Sequence, residues 1–162
     1  MKLNELYQTI ILEHYKEPHN VGELVNADIE SRGYNESCGD DVRLFVNLND
    51  GKKIDEIRFK GKGCAISQSS TSMMTDALKG KTIDEALTFV DSFKSMMKGE
   101  KQFSDEGDFE ELSSLKGVLE FPVRVKCATL SWNTVRNGLL QFKAKENEKA
   151  KTETETAIHD EE

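Results

Sequence analysis

The stretch Val42-Arg43-Leu44-Phe45-Val46-Asn47-Leu48-Asn49-Asp50-Gly51-Lys52-Lys53-Ile54-Asp55-Glu56-Ile57-Arg58-Phe59 decides the fold class. Val42, Leu44, Val46 and Leu48 alternate with Arg43, Phe45, Asn47 and Asn49, the period of a strand with one buried face. Asn49-Asp50-Gly51 is a turn signal, and Ile54, Ile57 and Phe59 carry a second strand, so the segment reads as a β-hairpin. Upstream, Ile29 to Tyr34 supplies a third strand before a turn at Ser37-Cys38-Gly39. Three antiparallel strands with one apolar face need helices to cover them.

Helical periods flank the strands. Leu3, Leu6, Tyr7, Ile10, Ile11 and Tyr15 recur at steps of three and four, and Pro18 ends that stripe. After Gly61-Lys62-Gly63, the run Ala65 to Leu78 presents Ile66, Met73, Met74, Ala77 and Leu78, and Gly80 stops it. Thr82 and Glu85 form a capping box ahead of Ile83, Ala86, Leu87, Val90 and Phe93. Lys98 to Gly107 is polar and reads as a surface loop; Phe109, Leu112, Leu115 and Val118 suggest a short helix. Pro122 opens a last helix through Cys127, Leu130, Trp132, Val135 and Leu139 to about Phe142. The expectation is an α+β fold, a three-stranded antiparallel sheet covered by about five helices. Residues 143–162 hold almost no large apolar side chain and read as a charged, disordered tail behind a single domain over 1–142.

Composition narrows the function. The 162 residues carry 22 Lys and Arg against 30 Asp and Glu, a formal charge of −8, and no long basic run. That disfavours nucleic acid, whose phosphates call for a basic face. No apolar stretch nears the ~20 residues of a membrane helix, and the start lacks a signal peptide's apolar core. Three cysteines without a C-x-x-C pair cannot close into a disulfide framework, which points to a reducing, cytoplasmic setting.

Those cysteines are either buried and inert or part of a metal or nucleophile site. All three fall at element boundaries. Cys38 lies in a glycine-containing turn, Cys64 at a helix start where the dipole favours a thiolate, and Cys127 just after Arg124 and Lys126. Asp40 stands two residues from Cys38, so a bend at Gly39 can turn both toward one centre. Three thiolates and a carboxylate complete a tetrahedral zinc set.

Four segments carry a resemblance. Leu6-Tyr7 through Ile10-Ile11-Leu12-Glu13-His14-Tyr15 to Pro18 and Asn20 looks like the opening helix and loop of the U-type (IscU-like) iron–sulfur cluster assembly proteins. Asn35-Glu36-Ser37-Cys38-Gly39-Asp40 looks like their first cysteine loop, and Gly61-Lys62-Gly63-Cys64-Ala65-Ile66-Ser67-Gln68-Ser69-Ser70 like the second. Phe121-Pro122-Val123-Arg124-Val125-Lys126-Cys127-Ala128-Thr129-Leu130-Ser131-Trp132 is similar to the third, and the resemblance spans about residues 3–142. Two features match the SufU branch over the IscU branch. IscU-type scaffolds place a histidine before the third cysteine, where this chain has Lys126, and the stretch from about 97 to 116 looks like an insertion that SufU-type proteins carry.

The resemblance implies a SufE/IscU-like fold and a zinc-dependent sulfur acceptor, sulfurtransferase-like in action. It implies Zn2+ held by Cys38, Asp40, Cys64 and Cys127. Persulfide sulfur would reach Cys38 from a partner cysteine desulfurase of the SufS type, which uses pyridoxal phosphate, and pass to downstream iron–sulfur assembly proteins. Arg124 or Lys126 would offset the −2 charge of three thiolates and a carboxylate on a divalent ion; Arg124 is the residue to test. Two rivals remain: a scaffold building a transient iron–sulfur cluster on the same cysteines, and a structural zinc domain that binds partners. His14 reads as structural, His159 as a solvated tail residue, and His19 carries no ligand role. Met73, Met74, Met96 and Met97 read as packing rather than a soft-metal site.

Overall fold

Pairing along the hairpin follows its alternation. The computed structural model describes residues 3–50, 52–100 and 109–160. Strand β2 (Asp40–Asn49) lies between β1 (Ile29–Asn35) and β3 (Lys53–Lys62), all antiparallel. Leu44 pairs with Phe59 and Val46 with Ile57; the register then shifts, so that Leu48 pairs with Ile54 and Asp55 is left out. That bulge lets Ile54 and Ile57, three residues apart, both reach the core. Helix α1 (Leu3–Lys16) precedes the sheet, and α2 (Ala65–Leu78), α3 (Ile83–Met96), a 3-10 helix (Leu112–Glu120) and α4 (Pro122–Asp160) follow it. Among the described residues this is the expected architecture, one of the five helices being of the 3-10 type.

One core joins the layers. Leu44, Val46, Ile57 and Phe59 of the sheet meet Met74 and Leu78 of α2, Val90 and Phe93 of α3, Leu115, and Trp132, Val135 and Leu139 of α4. Phe93 stacks on Trp132 with ring centroids 3.9 Å apart. Met73, Met74, Met96 and Met97 are all core residues. Helix α4 crosses β1 closely enough that a Cβ on Gly33 would sit 1.9 Å from Thr134 Oγ1.

Three expectations are corrected. Phe45, assigned to the polar face of β2, is buried beneath the Arg43 guanidinium, 5.3 Å from its ring centroid, because a twisted outer face lets long side chains roof an aromatic ring. Tyr15, assigned to the buried stripe of α1, is 43 % exposed. His14 completes the face begun by Ile10 and Ile11, and a residue one step on points about 100° away. The last helix does not end near Phe142 but continues to Asp160. Residues 143–151 (KAKENEKAK) contain neither Gly nor Pro, and Lys, Glu and Ala are strong helix formers that need no core. Of the segment at about 97–116, residues 101–108 lie outside the described residues; Met97, Leu112 and Leu115 on either side are buried.

Candidate metal and thiol centre

The sheet brings the cysteine motifs to one end of the molecule. Asn35 pairs with Asp40 at the close of the β1–β2 hairpin, so Glu36-Ser37-Cys38-Gly39 is its turn. Gly39 takes φ +70°, a conformation glycine adopts without a Cβ penalty, and its N–H donates to Asn35 O at 2.8 Å. At the same end Asp41 pairs with Lys62, which delivers Gly63 and Cys64 beside Asp40. Cys64 is the N-cap of α2, and its Sγ accepts the Ser67 N–H at 3.5 Å. The first turns of α4 add Arg124 and Cys127, three residues apart on one face.

Cys38, Asp40 and Cys127 converge. One ligand atom from each lies within 4.8 Å of the other two, and the sulfurs of Cys38 and Cys127 are 3.0 Å apart. Cys64 stands outside that trio but adjoins it, its backbone N–H donating to Asp40 Oδ1 at 3.0 Å. Asp40 is fully buried, and its Oδ2 has no hydrogen-bond partner. Gly63 makes room for the carboxylate, since a Cβ there would lie 2.7 Å from Asp40 Oδ1. Sequence reasoning singled out the cysteines but missed this steric role; the G-K-G-C string was the available signal.

Burial pushes the Cys127 thiol well above its ordinary range, helped by hydrogen bonding with Cys38 and Asp40. Arg124, exposed at the rim, is held more firmly protonated by hydrogen bonding to Cys127 and by the charges of Cys64 and Cys127. A cluster of this kind is unfavourable without a positive charge at its centre, because a buried carboxylate oxygen with no donor retains its desolvation cost. A divalent ion removes that penalty. Two sulfurs and an oxygen within 4.8 Å, with a third thiol adjacent, are a donor set suited to a thiolate-preferring metal ion.

Fold and site together define a small α+β domain that gathers thiols and one buried carboxylate at the end of a three-stranded sheet. The chain belongs to the NifU-like N-terminal domain family, whose model matches residues 6–149. It is 44 % identical over 137 residues to the zinc-dependent sulfurtransferase SufU of Bacillus subtilis, covering 85 % of this chain and 91 % of that protein. It is 41 % identical over 138 residues to the iron–sulfur cluster assembly scaffold protein IscU of Streptococcus pyogenes, covering 85 % of each. A crystal structure described as a putative SUF-system scaffold from Fervidobacterium islandicum superposes with a TM-score of 0.76 at 36 % identity, over 85 % of this chain and 99 % of that one. Among the described residues, no helix is long and apolar enough to cross a membrane.

Proposed function

We propose that this protein is a zinc-dependent sulfur acceptor that takes persulfide sulfur from a pyridoxal-phosphate cysteine desulfurase for iron–sulfur cluster assembly. The observation that carries the reading is the buried Asp40 carboxylate, with a partnerless Oδ2 and an oxygen within 4.8 Å of the paired sulfurs of Cys38 and Cys127. Cys38, Asp40, Cys64 and Cys127 would hold the ion, which when bound keeps thiols deprotonated at neutral pH. Cys38 and Cys64 are both half-buried whereas Cys127 is enclosed; Cys38 is the acceptor because it lies on the hairpin turn, while the Cys64 sulfur is engaged in capping α2. In the transfer, the Cys38 thiolate attacks the terminal sulfur of the donor persulfide. The donor's S–S bond breaks, a new S–S bond forms on Cys38, and the donor cysteine leaves as a thiolate. Arg124 offsets the negative charge of the cluster and of the incoming persulfide.

The test is intact mass after mixing the zinc-loaded protein with a desulfurase and cysteine. One added sulfur on the wild type and none on Cys38→Ala supports transfer; no added sulfur while zinc stays stoichiometric rejects it. Arg124→Ala should slow sulfur acceptance with zinc retained, and unchanged acceptance would remove Arg124 from the mechanism.

The 41 % identity to a protein named as a scaffold favours a second reading, cluster assembly on the same cysteines. Lys126, where IscU-type proteins carry histidine, weighs against it. Anaerobic reconstitution with iron and sulfide, followed by transfer of a visible chromophore to an apo-ferredoxin, would favour the scaffold.

A further inference from the structure

A second group of metal-ligating side chains lies where α1 and its following loop pack against the C-terminal half of α2. His14, His19 and Asp76 each place one ligand atom within 4.8 Å of the other two. The imidazole centroids are 4.5 Å apart. His14 is 4 % exposed, and its Nε2 lies 2.6 Å from Glu111 Oε2. His19 Nδ1 lies 2.5 Å from Asp76 Oδ2. Pairwise hydrogen bonds between helices account for each contact separately. They do not account for two imidazoles packed against each other with two carboxylates turned to them.

We propose that His14, His19 and Asp76, with Glu111 beside them, form a second binding site for a divalent transition cation, separate from the cysteine centre. The donor types are those of imidazole-preferring ions: zinc, cobalt, nickel or copper. The supporting groups are arranged as such a site requires. Ser72 Oγ lies 2.7 Å from His14 Nδ1 and accepts the His19 backbone N–H at 2.8 Å, so one hydroxyl orients both histidines and leaves His14 Nε2 toward Glu111. Asn20 Nδ2 donates to Asp76 Oδ1 at 2.9 Å, leaving Oδ2 as the oxygen turned inward. A cleft of about 470 Å³, lined by His14 and His19 with Glu13, Lys16, Glu17 and Glu111, opens the group to solvent and gives an ion a way in. Two carboxylates balance a divalent charge, and neutral imidazoles add none.

The site is tested by titrating the full-length, metal-free protein with Co2+ and separately with Zn2+. The wild type should bind two equivalents. Filling the thiol centre brings intense thiolate-to-cobalt charge-transfer absorption, whereas filling the histidine centre adds only weak ligand-field bands. His19→Asn and Asp76→Asn change half-exposed side chains and should retain the thiol-bound equivalent while losing the other. A single equivalent in the wild type, two equivalents undiminished in both variants, or growth of thiolate absorption with both equivalents overturns the proposal. Where a variant also loses the thiol-bound equivalent, and so has misfolded, the wild-type spectrum decides alone.

Discussion

Helices α2 and α3 are consecutive and both 14 residues long, yet they are built on different rules. Helix α3 buries one stripe, Ile83, Ala86, Phe89, Val90, Phe93 and Met96, and its N-terminus is closed by the reciprocal bonds of Thr82 and Glu85. Helix α2 is buried nearly all round, and much of what it buries is hydroxyl: Ser67, Ser69, Ser70, Thr71, Ser72 and Thr75. Among them Ser69, Ser70, Ser72 and Thr75 connect α2 to other segments. Ser69 Oγ donates to Ile11 O in α1, and Ser70 Oγ donates to Ala128 O in α4 while accepting Trp132 Nε1–H at 2.9 Å. The N-cap of α2 is a thiol 3.5 Å from the N–H it caps, against 3.1 Å for the Thr82 oxygen. Helix α3 is shaped by packing against one side of the core. Helix α2 is shaped by what it joins, with a site at either end, and it departs from local helix rules where it does so.

The contrast can be broken at its strongest point by Phe93→Ala. Phe93 is fully buried against Trp132, and the substitution should cost about 3–5 kcal/mol in urea unfolding. A loss below about 1 kcal/mol would mean that α3 is not held by its stripe. On the other helix, Ser70→Ala removes only one oxygen but leaves the buried indole N–H without an acceptor, so a loss of about 1–3 kcal/mol is expected. Equality with the wild type would show that the connector role is not energetic. Thr82→Ala should cost about 1 kcal/mol by opening the capping box of α3.

The cap of α2 should respond with the opposite sign. In metal-free protein, Cys64→Ser shortens the capping bond and should gain a few tenths to about 1 kcal/mol, while weakening zinc binding in a competition with a chelator. Destabilisation of the metal-free form would show that Cys64 already caps as well as serine. The smallest effect belongs to truncation after Phe142. It removes an exposed pair, Lys143 Nζ to Asp84 Oδ1 at 2.7 Å, from the first turn of α3. Stability should change by less than about 0.5 kcal/mol, with zinc stoichiometry unaltered.

The same division governs what could be read from the sequence. Strand alternation, the Asn49-Asp50-Gly51 turn, the Thr82 box, Pro18 and Pro122 are local signals, and the elements they announce are present. Three cysteine motifs and Asp40 could be singled out because each carries its own short pattern. The burial of the Ser69 and Ser70 hydroxyls on α2 was not legible, because they acquire their partners only when α1 and α4 arrive from 58 positions away. For the same reason His14 and His19 gave no sign of Asp76, which stands 57 residues beyond His19. Phe45 was hidden by an outer face that only sheet twist and long side chains could roof. The reach of α4 to Asp160 was underestimated because lack of a core was equated with lack of helix.

The hairpin that closes with Asn35 opposite Asp40 also sets a range of delivery. Only Gly39 separates Cys38 from Asp40, where the strand ladder begins, and two residues of extended chain span about 7 Å. Cys38 is therefore on a short leash, unlike a carrier group on a long swinging arm. On the proposed sulfur-transfer reading, a donor would have to bring its sulfur to the turn, because the thiol has little reach of its own.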